Sequence, residues 1–125
     1  MSQFYDLGDR TLWNPSHGVS LLFTAQIAAH ETEVGISSGI GPMEADECRI
    51  DPVAFAAFAG ALLTWRSRSP HPVRAALSDG FLAMVLALAE RGGIEVEWPH
   101  ATATEAGWGA EIRQKARELH RHLAA

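Results

Sequence analysis

The sequence predicts an α+β, mostly α protein, in which about four helices pack on a small antiparallel sheet. Four segments place apolar residues at helical spacing, and Gly or Pro separates them. Two regions, at residues 4–13 and 94–98, read instead as short strands. The chain has 125 residues, of which 47% are hydrophobic and 20% charged. This is the size and composition of one globular domain, so we expect residues 1–125 to fold as a unit.

The predicted sheet combines an N-terminal hairpin with a later strand. Residues 4–7 and 10–13 flank Gly8-Asp9, a pair that supplies the positive φ of a tight hairpin turn. Residues 94–98 read Ile-Glu-Val-Glu-Trp and alternate strictly, as a half-buried strand does. Residues 48–50 are compatible with a further short strand, inside a long connection at 36–50 that has no helical period.

The first helix is predicted to begin at Asn14-Pro15-Ser16, where a capping side chain is available and Pro is tolerated, and to end at Gly35. Its helically spaced stripe is Val19, Leu22, Phe23, Gln26, Ile27, His30 and Val34.

Three further helices follow the same logic. Asp51-Pro52 begins the second, which Ser69-Pro70 breaks. The third, residues 73–91, is apolar on all sides in its second half and should be central. Thr102 and Glu105 have the spacing of a capping box for the last helix.

The negative charge is concentrated in one stretch. The chain carries a net charge of −5, and residues 31–51 account for all of it. The six acids of this stretch are Glu31, Glu33, Glu44, Asp46, Glu47 and Asp51. Because a phosphate backbone requires clustered positive charge, we expect no nucleic-acid partner. Arg66, Arg68 and Arg74 could neutralise the stretch internally if the fold brought them to it.

The sequence also predicts a compartment. A lone cysteine, Cys48, leaves no partner for an internal disulfide, and the first residues lack the pattern of a secretory signal. The longest apolar run, residues 80–89, is about half of the roughly 20 residues that span a bilayer. We therefore expect a cytoplasmic protein with no membrane partner.

No histidine or cysteine pattern identifies a catalytic or metal centre. His120 and His122 point about 200° apart on a helix. His30 and Glu33 share a helix face, but His30 lies on the apolar stripe, which favours a hydrogen-bonded core histidine. Cys48 has acidic and basic neighbours, so its thiolate is not specifically stabilised. We expect no cofactor and no bound metal, and we favour a non-catalytic protein.

Four motifs give the chain a resemblance to a known family. They are TLWNPS at 11–16, SGIGPM at 38–43, IDP at 50–52 and ALSDGF at 76–81. In combination they resemble a family of short actinobacterial proteins described only as a domain of unknown function, over roughly residues 1–97. The resemblance implies a bacterial protein of this length. It brings no activity, cofactor or catalytic residue.

Two functions are compatible with these observations. The first is a non-catalytic protein-binding domain, such as an acidic inhibitor of the immunity or antitoxin type, acting through the 31–51 stretch. Glu44, Asp46 and Glu47 would contact a partner protein with a basic surface, through electrostatic steering and complementarity.

The alternative is a small-molecule-binding protein or small enzyme with a pocket between the helices and the sheet. Its polar groups would be His30, Glu33, Asp46 and Glu47. A deep pocket in which these side chains converge would favour this alternative, and an exposed acidic ridge would favour the first function.

Overall fold

A computed structural model describes residues 2–68, 71–99 and 107–123. Four helices pack on a small three-stranded sheet, which confirms the α+β, mostly α prediction and its N-terminal hairpin. The elements are β1 (Phe4–Leu7), β2 (Arg10–Trp13), α1 (His17–Val34), β3 (Glu47–Arg49), α2 (Pro52–Arg68), α3 (Pro72–Arg91) and α4 (Gly107–His120).

The sheet is mixed, whereas we predicted an antiparallel one. β1 lies at its centre, antiparallel to β2 and parallel to β3, with Tyr5 opposite Trp13 on one side and Cys48 on the other. Gly8 has a φ of 59° at the predicted tight turn between β1 and β2. The parallel neighbour comes from the long connection after α1, near the possible strand at 48–50.

The prediction of a strand at 94–98 is wrong. The segment has no regular secondary structure, and Ile94, Val96 and Trp98 are half-buried while Glu95 and Glu97 are exposed. However, among the described residues no backbone group from 95 to 98 hydrogen-bonds to another backbone group. The buried side chains lie against α3 and α4. The alternation of apolar and charged residues therefore indicates only that one face of this segment is covered. Here helices cover that face, and no neighbouring strand in the described part of the chain does.

The helix boundaries follow the predicted caps where the structure describes them. Ser16 Oγ accepts the N–H of Val19 at 3.3 Å, and Gly35 ends α1 with a φ of 76°. Asp51 Oδ1 accepts the N–H groups of Val53 and Ala54 at 3.0 and 3.3 Å. The predicted break at Ser69-Pro70 and the predicted capping box at 102–105 lie outside the described residues.

α3 forms the centre of the core, as predicted. It packs against α2 and α4 and contacts β2. Its length and composition would also suit a membrane-crossing helix, but its second half is a core helix here. The buried residues of that half are Phe81, Leu82, Ala83, Val85, Ala87, Leu88 and Ala89.

An aromatic cluster attaches the sheet to α1. Tyr5, Trp13 and Phe23 lie within 5.1–5.8 Å of one another between ring centroids. Phe23 also contacts Phe81 of α3 at 5.6 Å. The Tyr5 hydroxyl hydrogen-bonds to Ser20 Oγ at 2.7 Å, which satisfies both buried hydroxyl groups. The sheet, α1 and α3 therefore meet at one end of the molecule.

Candidate functional site

The long connection after α1 folds into an irregular hairpin. Ile40 pairs with Ile50, and the N–H of Gly41 donates to the carbonyl of Arg49 at 2.8 Å. Nearer the tip, Glu44 and Glu47 exchange two backbone hydrogen bonds of 2.9 and 3.0 Å. The segment that carries three of the six acids of the 31–51 stretch is thus an ordered projection of the sheet.

The tip of this hairpin is a tight turn. Its central residues, Ala45 and Asp46, have φ values of 51° and 64°, the signs of a type I′ turn. The Asp46 carbonyl accepts the N–H of Phe4 at 2.8 Å, and its carboxylate accepts from Gln3 Nε2 at 3.3 Å. The tip is therefore fixed to the start of β1.

The predicted binding residues occupy this tip. Glu44 and Glu47 are exposed, and Asp46 is half-buried against Gln3. Among the described residues, no ion pair joins Glu44 or Glu47 to a base. We refer to Glu44, Asp46 and Glu47 together as the acidic tip.

Other acids of the 31–51 stretch have structural partners. Glu31 Oε2 accepts the N–H of Ser38 at 2.8 Å, and Asp51 caps α2. Arg66, one of the bases that could have neutralised the stretch, instead pairs with Asp79 at 2.7 Å. The side chain of this arginine is only 11% exposed, and its ion pair joins α2 to α3 instead of reaching the acidic stretch.

His30 is buried and fully hydrogen-bonded. Nδ1 lies 2.7 Å from the Gln26 carbonyl and Nε2 lies 3.1 Å from Ser78 Oγ. The ring stacks on Phe81 at 4.3 Å and meets the edge of Trp65 at 5.7 Å. Both ring nitrogens are therefore used within the protein.

The four residues of the alternative pocket do not line a common cavity. His30 and Glu33 line a cavity of about 380 Å³ between α1, α2 and α3. Asp46 and Glu47 lie at the hairpin tip and line none of the described cavities. Within residues 2–68, 71–99 and 107–123, no group of three or more His, Cys, Asp or Glu side chains could hold a metal ion.

Burial controls the chemistry of the two ionisable groups where β1 meets β3. It raises the pKa of the Cys48 thiol to about 12, and the nearby Asp6 carboxylate adds to the effect. Burial also raises the pKa of Tyr5, against the hydrogen bond from Ser20, which lowers it. Cys48 is therefore a neutral thiol near pH 7, and thiolate is the nucleophilic form.

One cavity is an apolar groove that the sequence did not identify. It measures about 550 Å³ and lies between α1, α3 and the end of α4. Trp13, Phe23, Phe81 and Met84 are among the residues that line it. We call this cavity the apolar groove.

On α1, the face that packs on the core differs in part from the predicted one. Ser20, Phe23, Ile27 and His30 face the core, whereas Val19 and Leu22 of the predicted stripe are 49% and 63% exposed. α1 is apolar on nearly all sides, so its sequence does not specify which face is buried. The sequence did carry one signal of an exposed apolar face. The helix has more apolar positions than one face can bury, and no charged residue precedes Glu31.

The motifs that carry the family resemblance have structural roles. Ser38 hydrogen-bonds within its loop through Oγ, and the Gly39 carbonyl accepts the N–H of Asp51 at 2.8 Å. Gly39 has a φ of 77°, and a Cβ there would lie 2.7 Å from that of Ala54, so the position requires glycine. In the ALSDGF motif, Ser78 hydrogen-bonds to His30 and Asp79 forms an ion pair with Arg66.

One family model matches the chain over residues 1–125, and it describes a family of unknown function. No curated protein and no solved structure matches the chain.

Proposed function

We propose that this chain, which belongs to the DUF6086 family of unknown function, is a non-catalytic binding protein whose partner is a protein with a basic surface. The partner would bind the acidic tip, as a target binds an acidic inhibitor of the immunity or antitoxin type. One observation carries the proposal. Glu44 and Glu47 are exposed carboxylates on a closed turn, and neither has an ion-pair partner among the described residues.

The cost of this arrangement supports a role outside the fold. Glu44 and Glu47 lie directly opposite each other, and like charges in that position are destabilising. Ala45 adds left-handed backbone strain, which costs a non-glycine residue roughly 1–2 kcal/mol. A cationic partner would relieve the repulsion, because its charge would lie beside both carboxylates.

The chemistry elsewhere supports binding over catalysis. Both nitrogens of His30 already hydrogen-bond to protein groups, so neither is available to take a proton from a substrate. The Cys48 thiol is buried and has a raised pKa, which disfavours a nucleophilic role. A buried free thiol also suits a reducing compartment, which supports our proposal of a cytoplasmic protein.

The test compares association before and after the tip is neutralised. A triple variant, Glu44→Gln, Asp46→Asn and Glu47→Gln, removes the three charges and keeps the size and one acceptor oxygen of each side chain. We expect partners recovered from the native host at low salt to be lost with the variant. For a recovered and purified partner, the association rate constant should fall, and that of the wild type should fall as salt rises.

A matched control removes the same charge from another surface. Glu95, Glu97 and Glu111 are exposed, and changing all three to Gln also raises the net charge by three. The control should retain the partners, and both variants should unfold within about 1 kcal/mol of the wild type, as exposed charges do. If the tip variant and the control recover the same partners at low and high salt, the acidic tip is not the binding surface.

A further inference from the structure

Among the described residues, several large apolar side chains beside the apolar groove are exposed. Leu22 of α1 and Leu77 of α3 are 63% and 75% exposed on opposite sides of the apolar groove. Val73, one turn before Leu77, is 60% exposed. Surface leucines scattered singly need no explanation, whereas a contiguous apolar patch marks an interaction site.

We infer that the occupant of this groove is a second copy of the same chain, which packs its own α1 and α3 against it about a two-fold axis. In an isologous interface the same patch serves both copies, so it must carry a projection and a hollow side by side. This face carries both. Leu77 projects between the 550 Å³ groove and the 380 Å³ cavity that holds His30. In the dimer, Leu77 of each copy enters the groove of the other.

The charge distribution favours self-association through this face. The chain carries a net charge of −5, but none of the described residues that line the groove is Asp, Glu, Lys or Arg. Two copies can therefore meet there without burying an unpaired charge, which would cost several kcal/mol. A basic partner, by contrast, would find no carboxylate in the groove.

The extent of the face matches a protein interface better than a small molecule. Ala25, Ala29 and Val73 are exposed, and each lies one turn from a residue of the lining on α1 or α3. A molecule held inside the groove would leave them in water. Val19 and Leu22, which line the groove, are themselves 49% and 63% exposed, so apolar surface is accessible around the hollow as well as within it.

Dimer formation would place two acidic tips on one particle. Linked sites raise the apparent affinity for a partner that engages both at once. The dimer itself does not depend on the proposed function, because the groove and the acidic tip share no residue.

The test is the oligomeric state of the full chain in solution. Sedimentation equilibrium at micromolar concentration should give a dimer for the wild type. Leu77→Glu should give a monomer, with the dissociation constant raised at least about 100-fold, because each dimer would bury two unpaired carboxylates. Val53→Glu is the matched control, since Val53 is 79% exposed on α2 and lies outside the groove. It should remain dimeric.

A second readout locates the face. Leu77→Cys should be cross-linked between copies by a short bismaleimide, whereas Val53→Cys should not, and the buried Cys48 should not react. Circular dichroism would confirm that the variants keep their helices. A monomeric wild type overturns the proposal, including one that binds an apolar dye in the groove. So does a Leu77→Glu variant that dimerises as the wild type does.

Discussion

At the scale of single residues, His30 connects α1 to the core through both nitrogens of its ring and through ring stacking. The Gln26 carbonyl can only accept, so Nδ1 carries the proton that it receives. Nε2 hydrogen-bonds to the Ser78 hydroxyl of α3 at 3.1 Å. The stacked Phe81 ring completes the contact. The histidine therefore has a structural role, as its place on the apolar stripe predicted.

We expect His30→Leu to lower the free energy of unfolding by about 1–3 kcal/mol, because it leaves the buried Ser78 hydroxyl without its hydrogen-bond partner. Urea denaturation measures the change, and ¹⁵N chemical shifts of the wild-type ring should show a proton on Nδ1. His17→Leu is the control, since His17 is exposed at the start of α1, and it should change stability by less than about 0.5 kcal/mol. One equivalent of bound metal that His30→Leu removes would contradict this role.

At the scale of elements, the hairpin at 40–50 combines a strong backbone with a strained tip. Two backbone bridges close it, Ile40 with Ile50 and Glu44 with Glu47. Type I′ turns favour Gly, Asn or Asp at both central positions, and Ala45 satisfies neither the steric nor the hydrogen-bonding reason for that preference. This is why the sequence did not identify the turn.

Ala45→Gly should raise the free energy of unfolding by about 0.5–1 kcal/mol. Relief of the left-handed strain, worth roughly 1–2 kcal/mol, exceeds the added flexibility of the unfolded chain. The same change at Ala57, an exposed position inside α2, should lower stability by roughly 0.5–1 kcal/mol. Chemical denaturation of both variants measures the pair. Equal losses at the two sites would show that Ala45 is not strained.

At the scale of the whole molecule, α3 is the element on which the core depends. It contacts α2, α4 and β2, and its second half is buried among them. Two leucines on this helix differ in burial, and the sequence does not show the difference because the helix is apolar on all sides there. Leu88 is fully buried, whereas Leu86 is half-buried and lines a cavity together with residues of the segment 94–98.

Leu88→Asp should abolish folding, because an unpaired buried carboxylate costs several kcal/mol out of a total stability of about 5–15 kcal/mol. Leu86→Asp should fold with reduced stability, since the cavity beside it lets the carboxylate reach water. Soluble yield, far-UV circular dichroism and the melting temperature measure the difference. If both variants melted as the wild type does, α3 would not be the central helix.

The sequence by itself determined the features that depend on neighbouring residues. Ser16 and Asp51 cap their helices, Gly8 forms its turn and Gly35 ends α1, because each acts on backbone groups within a few positions. The helical content and the central place of α3 followed from apolar spacing. Likewise, the acidic tip was identified as a candidate site from charge alone.

The tertiary structure decided which faces and edges meet. The alternation at 94–98 recorded a covered face, but only packing determined that α3 and α4 cover it. β1 took β3 as its parallel neighbour, and Arg66 took Asp79 in place of the acidic stretch. The buried face of α1, which leaves Leu22 exposed beside the groove, was equally hidden, because a helix that is apolar on nearly all sides has no preferred buried face. Such choices rest on contacts between segments far apart in the chain, and local pattern carries no information about them.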